Sequence, residues 1–283
     1  YMDLHQPIEP PDEYVVMFPV PFPGPRGEEH KAWSFPHPHW MATPEFPEYR
    51  AHKTALYDGA IRYVNDEIER LIRGLEELGL SDSTLVVITT DHGEEFWDHA
   101  ELEAGMGGDP RDVYGVGHGH SMFQEQLWVP LIFSGLRASG ARELMVPVSL
   151  VDLARTLLEL LAVPGSGRMC GVSLAPYLAA SQTAAAAGRP LFSESPAYGP
   201  ESWSFVDWPH KLIVRGDGRM LLYDLDADPS EIRDLSADQP ELLDARVRDV
   251  LGFRRDLDSV EPTGDMVMDE STREQLRSLG YLE

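Results

Sequence analysis

The chain has 283 residues, 42% of them hydrophobic, enough apolar mass to bury the core of one large domain or of one large and one small domain. Its formal charge of -25 excludes a general nucleic-acid or anionic-membrane surface, because both of those partners are polyanions. A single cysteine, Cys170, excludes an internal disulfide and any zinc site built from several thiolates, and no apolar run approaches the roughly 18–20 residues that span a bilayer.

In chain order, the opening "YMDLHQPIEPPDEY" has no initiating Met at position 1 and no helix or strand preamble, so the chain is expected to be a fragment of a longer one. Residues 1–50 are rich in proline, histidine and aromatics and read as an ordered, irregular loop region of the kind that shapes a cleft. Within it, His37 and His39 of "FPHPHW" either face a substrate or pack among prolines and Trp40, and packing is the expectation. Apolar residues at Tyr57, Ile61, Val64, Ile68, Leu71, Leu75 and Leu78 then follow helical spacing, with Gly79 as a C-terminal stop. "STLVVITT" is a continuous β-branched run, expected to be a parallel strand covered on both faces.

A glycine-rich loop, Gly105 to Gly119, leads to a second apolar strand in "LWVPLIF". "SLVDLARTLLELLAVP" is a helix, with Ser149 as N-cap, Asp152 completing a capping box and Val163-Pro164 at its end. The alanine-rich "AASQTAAAAGRP" marks a composition change, which places an α/β part at 1–182 and a small α+β subdomain at 183–283. In the second part "PLFSE", "SWSFVDWPHKLIVR" and "MLLYDLD" read as an antiparallel sheet with a hairpin signal at Asp217-Gly218, followed by a helix in "PELLDARVRDVLGFRRDL".

Chemistry concentrates in three places. Asp91-His92 follows the "LVVITT" run, and ligands of open α/β sheets gather beyond the carboxyl ends of strands. A carboxylate and a neutral imidazole both ligate divalent cations, and Gly93 permits a turn sharp enough for adjacent residues to address one ion. The alternative is a solvated strand-end turn whose aspartate caps the next helix. His118 and His120 sit in the glycine-rich loop just before the next strand, where they can reach the same edge or simply face water. Asp3 and His5 precede a proline-fixed turn and say little alone.

Taken in order, "YMDLHQPIEPP", "YDGAIRYVNDEIERLI", "TLVVITTDHGEE" and "GHGHSMFQEQLWVPLIF" resemble the motif series of the sulfatase family in the alkaline phosphatase superfamily. The similarity continues through "VPVSLVDLARTLLELLAVP", "HKLIVRGDGRMLLYDLDADPSEIRDLS" and "LRSLGYLE". It implies an α/β fold with a mostly parallel sheet flanked by helices, plus a small C-terminal antiparallel sheet and helix. It also implies that Asp91 and His92 ligate one divalent metal ion, that His5 contacts the ester and protonates its leaving oxygen, and that His118 binds the anionic oxygens. Asp3 and His120 stand as second-rank substrate contacts. His92 occupies a position that is asparagine in many arylsulfatases, which favours manganese or zinc over calcium. Two departures are local, with Leu4 where proline is common before the histidine and Ile8 where tyrosine is common after it.

The largest departure is the family's nucleophile, a cysteine or serine in C/S-x-P-x-R that becomes formylglycine in true sulfatases. Cys170 in "RMCGVSLAP" lacks the proline and arginine, and Ser34 in "SFPHP" ends in Pro38. The formylglycine is therefore expected upstream, and the chain alone is expected to be inactive. The leading expectation is a metal-dependent hydrolase of sulfate monoesters, with a weak leaning to an extracytoplasmic location. A phosphomonoesterase or phosphonate monoester hydrolase is the runner-up, and a non-catalytic binding protein retaining the fold is the third reading.

Overall fold

The structure is a computed structural model that describes residues 4–5, 8–18, 41–106, 115–135, 143–144, 147–165, 169, 171–179, 189–194 and 196–258. The expectations for Asp3, Ser34, His37, His39, Cys170 and the closing "STREQLRSLGYLE" concern residues outside that set. A short helix α1 (Asp12–Val15) lies against the long α2 (Phe46–Glu77), where Gly59 gives the α1 backbone room. α2 begins eleven residues before Tyr57, the first position of the helical spacing read from sequence, and ends where Gly79, at φ +70, turns the chain. Strand β1 (Leu85–Thr89) follows, then β2 (Glu95–Phe96), α3 (Ala100–Met106), β3 (Val116–Gly117), a single helical turn α4 (Gln124–Leu127) and β4 (Leu131–Gly135). α3 lies mostly before the segment read from sequence as one long loop and takes in only its first two residues, Gly105 and Met106.

The expectation of a mostly parallel sheet is corrected. β1 pairs antiparallel with β4, from Leu85 opposite Gly135 to Thr89 opposite Leu131, and every strand pair among the described residues is antiparallel. An apolar run reports burial but not direction, which is set by how the connecting chain returns. Here β2, α3, β3 and α4 bring it back reversed, and β1 itself, expected to be covered on both faces, is only half-buried from Leu85 to Ile88 and exposed at Thr89.

Helix α5 (Val151–Leu160) carries the capping pattern read from sequence in modified form: Ser149 N donates to Asp152 Oδ2 at 3.1 Å, while Ser149 Oγ accepts from Val151 N at 3.4 Å. The same Asp152 carboxylate accepts a double bond set from Arg189 at 2.6 and 2.7 Å and a bond from Val172 N, just before the short α6 (Ala175–Leu178). A four-stranded antiparallel meander follows, β5 (Leu191–Glu194), β6 (Ser202–Asp207), β7 (His210–Arg215) and β8 (Met220–Asp224), with Gly218 at φ +89 in the hairpin read from Asp217-Gly218. α7 (Pro240–Asp258) covers one face, packing Val250 with Phe205 and Leu212. The other face packs Ile213, Leu221 and Tyr223 against Met122 and Phe123, the residues just before α4. This second contact fixes α4, and α4 in turn touches both loops that carry the candidate chemistry.

Candidate functional site

Where β1 ends, the backbone turns on its own polar side chains. His92 N donates to Asp91 Oδ1 at 3.2 Å, and Thr90 Oγ1 donates to the His92 carbonyl at 3.0 Å. His92 Nδ1 lies 2.8 Å from the Gly93 carbonyl; a carbonyl only accepts, so Nδ1 carries the proton and Nε2 keeps its lone pair. Gly93 then passes so close to α4 that a Cβ there would sit 1.9 Å from the Glu125 carbonyl oxygen.

The two-residue ladder of β2 with β3 sets Glu95 opposite Gly117, which brings Glu94 beside the next residue of the other strand, His118. His118 Nδ1 donates to Glu94 Oε2 at 3.0 Å. Gly117 and Gly119, at φ +90 and +76, bracket His118 in conformations that residues with a Cβ rarely adopt. The result is a stacked imidazole pair, His92 on His118, with ring centroids 3.8 Å apart and planes 24° from parallel. The His5 ring lies 6.2 Å from that of His118. Of the residues named from sequence, the fold thus brings His5, His92 and His118 to one edge, with Asp91 Oδ1 3.7 Å from His92 Nε2.

His120 goes elsewhere. The left-handed turn at Gly119 sends it inward, where it is 7% exposed and its Nε2 lies 3.1 Å from Glu95 Oε2 and 3.3 Å from Glu103 Oε2. Burial alone would lower its pKa, but the hydrogen bonds to Glu103 and Glu95 and their charges raise it to about 10. On the same buried layer His99 bonds Glu125 Oε1 at 2.6 Å and the Glu231 carbonyl at 3.2 Å, and it stacks on Phe123. Burial again opposes its charge, while Glu125 and Glu95 raise its pKa to about 9. Beneath lies a fully buried ion pair, Lys211 Nζ to Glu231 Oε1 at 2.7 Å; burial pushes the lysine down and the carboxyl up.

Sequence reasoning missed Glu94, Glu95, Gln126 and the Lys211–Glu231 pair. The doubled acid of "DHGEE" was a signal for the first two; nothing in the local sequence marks the others, since Gln126 meets Glu95 across 31 positions and Lys211 meets Gln124 across 87.

The donor chemistry suits a divalent cation. His92, Glu94 and His118 each offer one ligand atom, all within 4.8 Å of one another, and Glu94 Oε1 is buried with no hydrogen-bond partner among the described residues.

Fold and site together define a mixed α/β protein with an imidazole–carboxylate centre competent for a cation. The chain belongs to the sulfatase family: residues 1–163 match the family model described as Sulfatase. It is 28% identical over 197 residues to arylsulfatase K of Xenopus laevis, covering 65% of this chain and 34% of that protein. It is 26% identical over 211 residues to arylsulfatase K of Danio rerio, covering 70% and 37%. The chain thus spans about a third of the length of these curated relatives. Its fold is similar to that of a phosphonate monoester hydrolase from Silicibacter pomeroyi (TM-score 0.65, 19% identity, 92% of this chain and 55% of that one). It is also similar to a protein solved with its substrate D-glucosamine-2-N,6-O-disulfate (TM-score 0.62, 20% identity, 80% and 45%). Among the described residues no helix is long and apolar enough to cross a membrane.

Proposed function

We propose that this chain carries the metal-binding and leaving-group side of a sulfuric ester hydrolase site acting on a sulfate monoester. The observation that carries the reading is the meeting of His5, His92, His118 and Glu94 at one edge of a chain in the sulfatase family. Asp91 and His92 would hold the cation, with Glu94 in reach, and when bound it would offset charge on the ester's oxygens. His118 spends one ring nitrogen on Glu94 and keeps the other for an anionic oxygen of the substrate. His5, exposed and beside His118, would protonate the leaving oxygen. The nucleophile, a formylglycine in this reading, would come from sequence beyond these 283 residues, since none of them forms C/S-x-P-x-R.

A second reading, hydrolysis of a phosphonate monoester, draws on the fold likeness to phosphonate monoester hydrolases from Silicibacter pomeroyi and from Agrobacterium radiobacter (TM-score 0.60, 22% identity). Both substrates are tetrahedral oxyanions that the same histidines and cation suit. The deciding assay uses the protein expressed from its full coding sequence, with manganese, against an aryl sulfate and an aryl phosphonate monoester. Faster turnover of the sulfate, reduced roughly 100-fold or more in His118→Ala, is expected. Preference for the phosphonate would establish the second reading, and unchanged turnover in both His118→Ala and His92→Ala would remove the site from these residues.

A further inference from the structure

Between the loops that carry His92 and His118 lies one buried side chain without a part in the chemistry above, Gln126 of α4, 3% exposed. Its main-chain carbonyl accepts from Gly93 N at 2.9 Å. Its Oε1 accepts from Gly119 N, also at 2.9 Å. The other end of the same amide donates from Nε2 to Glu95 Oε2 at 3.0 Å and to Ser121 Oγ at 2.7 Å. One residue therefore holds the residue after His92 and the residue after His118.

We infer that Gln126 is a positioning residue that fixes the His92–His118 stack by tying the Asp91–Gly93 turn to the Gly117–Gly119 loop. The inference rests on the reading of His92 and His118 as the working pair. Its physical basis is the nature of the two loops: glycines at 93, 117 and 119 let the chain reach these positions but do nothing to keep it there. A restraint must come from outside. A primary amide supplies it uniquely, because it presents an acceptor to the Gly119 N–H and donors to a carboxylate and a hydroxyl at once. A carboxylate at 126 would lack the donors, and an apolar side chain would leave the Gly119 N–H without its acceptor and take one of two donors, the other being His120 Nε2, from Glu95 Oε2.

The anchor beneath is firm. Glu95 is fully buried, and its other oxygen accepts from His99 N at 3.1 Å. α4 itself is held from below, where Gln124 N donates to Glu231 Oε2 at 2.6 Å. Gly93 completes the clamp by lacking the Cβ that would strike the Glu125 carbonyl.

The test compares the protein expressed from its full coding sequence with its Gln126→Leu, Gln126→Glu and exchange Gln126→Glu/Glu95→Gln variants, using histidine-labelled protein for NMR and calorimetry with Mn2+ alone. In the unaltered chain the stacked rings shift each other's carbon-bound proton resonances. Gln126→Leu and Gln126→Glu should lose those mutual shifts and bind Mn2+ about tenfold more weakly or worse, as loss of a ligand-orienting partner does. The His99 ring, stacked on Phe123 at 3.7 Å and held by different bonds, should keep its shifts. The exchange variant, in which donor and acceptor trade places, should restore the His92 and His118 shifts. Retention of those shifts in Gln126→Leu would overturn the inference, and so would their loss together with the His99 shifts, which is what a merely structural role produces. If Gln126→Leu does not fold, the contrast between Gln126→Glu and the exchange variant decides. Because ring shifts need neither substrate nor turnover, failure of the sulfatase reading would appear in the ester assays and leave this measurement intact.

Discussion

The two sheets that flank α4 are built to different standards. In the meander β5–β8, the central strands β6 and β7 are buried along most of their length, Leu212 and Leu222 are fully enclosed, and α7 closes one face. In the β1–β4 pair no residue is fully buried, Ile132 is 51% exposed, and the nearby Trp128 is 71% exposed. The meander satisfies its own hydrogen bonds and core, whereas the region bearing Asp91, His92 and His118 is held largely by polar contacts to α4 and by α4's seat on the meander. The lesson is that the site's geometry is borrowed: its rigidity depends on a sheet that contributes none of the histidines.

The strongest way to break that dependence is at the buried ion pair. Lys211→Met leaves the enclosed Glu231 carboxylate without its cation and should cost about 3–5 kcal/mol in urea unfolding. Because Glu231 also bonds His99 and Gln124, the variant should lose the His99–Phe123 ring shifts before its cooperative transition. The paired replacement Lys211→Met/Glu231→Leu should recover most of the loss, and a deficit as large as that of the single variant would refute the charge argument.

A contrast of cores sharpens the same point. Leu212→Ala, at a fully buried position of β7, should cost about 2–5 kcal/mol, whereas Ile132→Ala on β4 should stay within about 0.5 kcal/mol. Equal losses in parallel denaturation curves would mean that β4 is covered by something in solution.

Titration provides the third probe. The folded pKa of His99 is raised to about 9 from an unfolded value near 6.5, so its contribution is fully present below about pH 6.5 and disappears as pH rises through 9. The raised pKa corresponds to a contribution on the order of 3 kcal/mol. Unfolding free energies between pH 6 and 10 should fall for the unaltered chain and fall less steeply for His99→Gln. Superimposable profiles would show that His99 is not charged in the folded state.

Much of this was legible in the sequence. The helical spacing through Leu78, the Gly79 stop, the Asp217-Gly218 hairpin, the meander strands and the motif series ending in "DHGEE" and "GHGHSMFQEQ" all rest on local patterns, because secondary-structure period, turn stereochemistry and the order of chemical groups are written along the chain itself. The grouping of His5, Asp91, His92 and His118 as one candidate site came from the same motif order. Strand direction was not legible, since the β-branched run of β1 is compatible with either pairing and only the return path through α4 made it antiparallel. Nor was the inward turn of His120, which depends on one positive φ at Gly119 and on Glu95 and Glu103 meeting it in the interior. Tertiary structure alone decided that Gln126 would bridge the two histidine loops and that Lys211 would lie against Glu231. Neither residue carries a local signature, because hydrogen bonds and buried charge pairs are satisfied by neighbours in space, and those neighbours exist only once the chain has closed on itself.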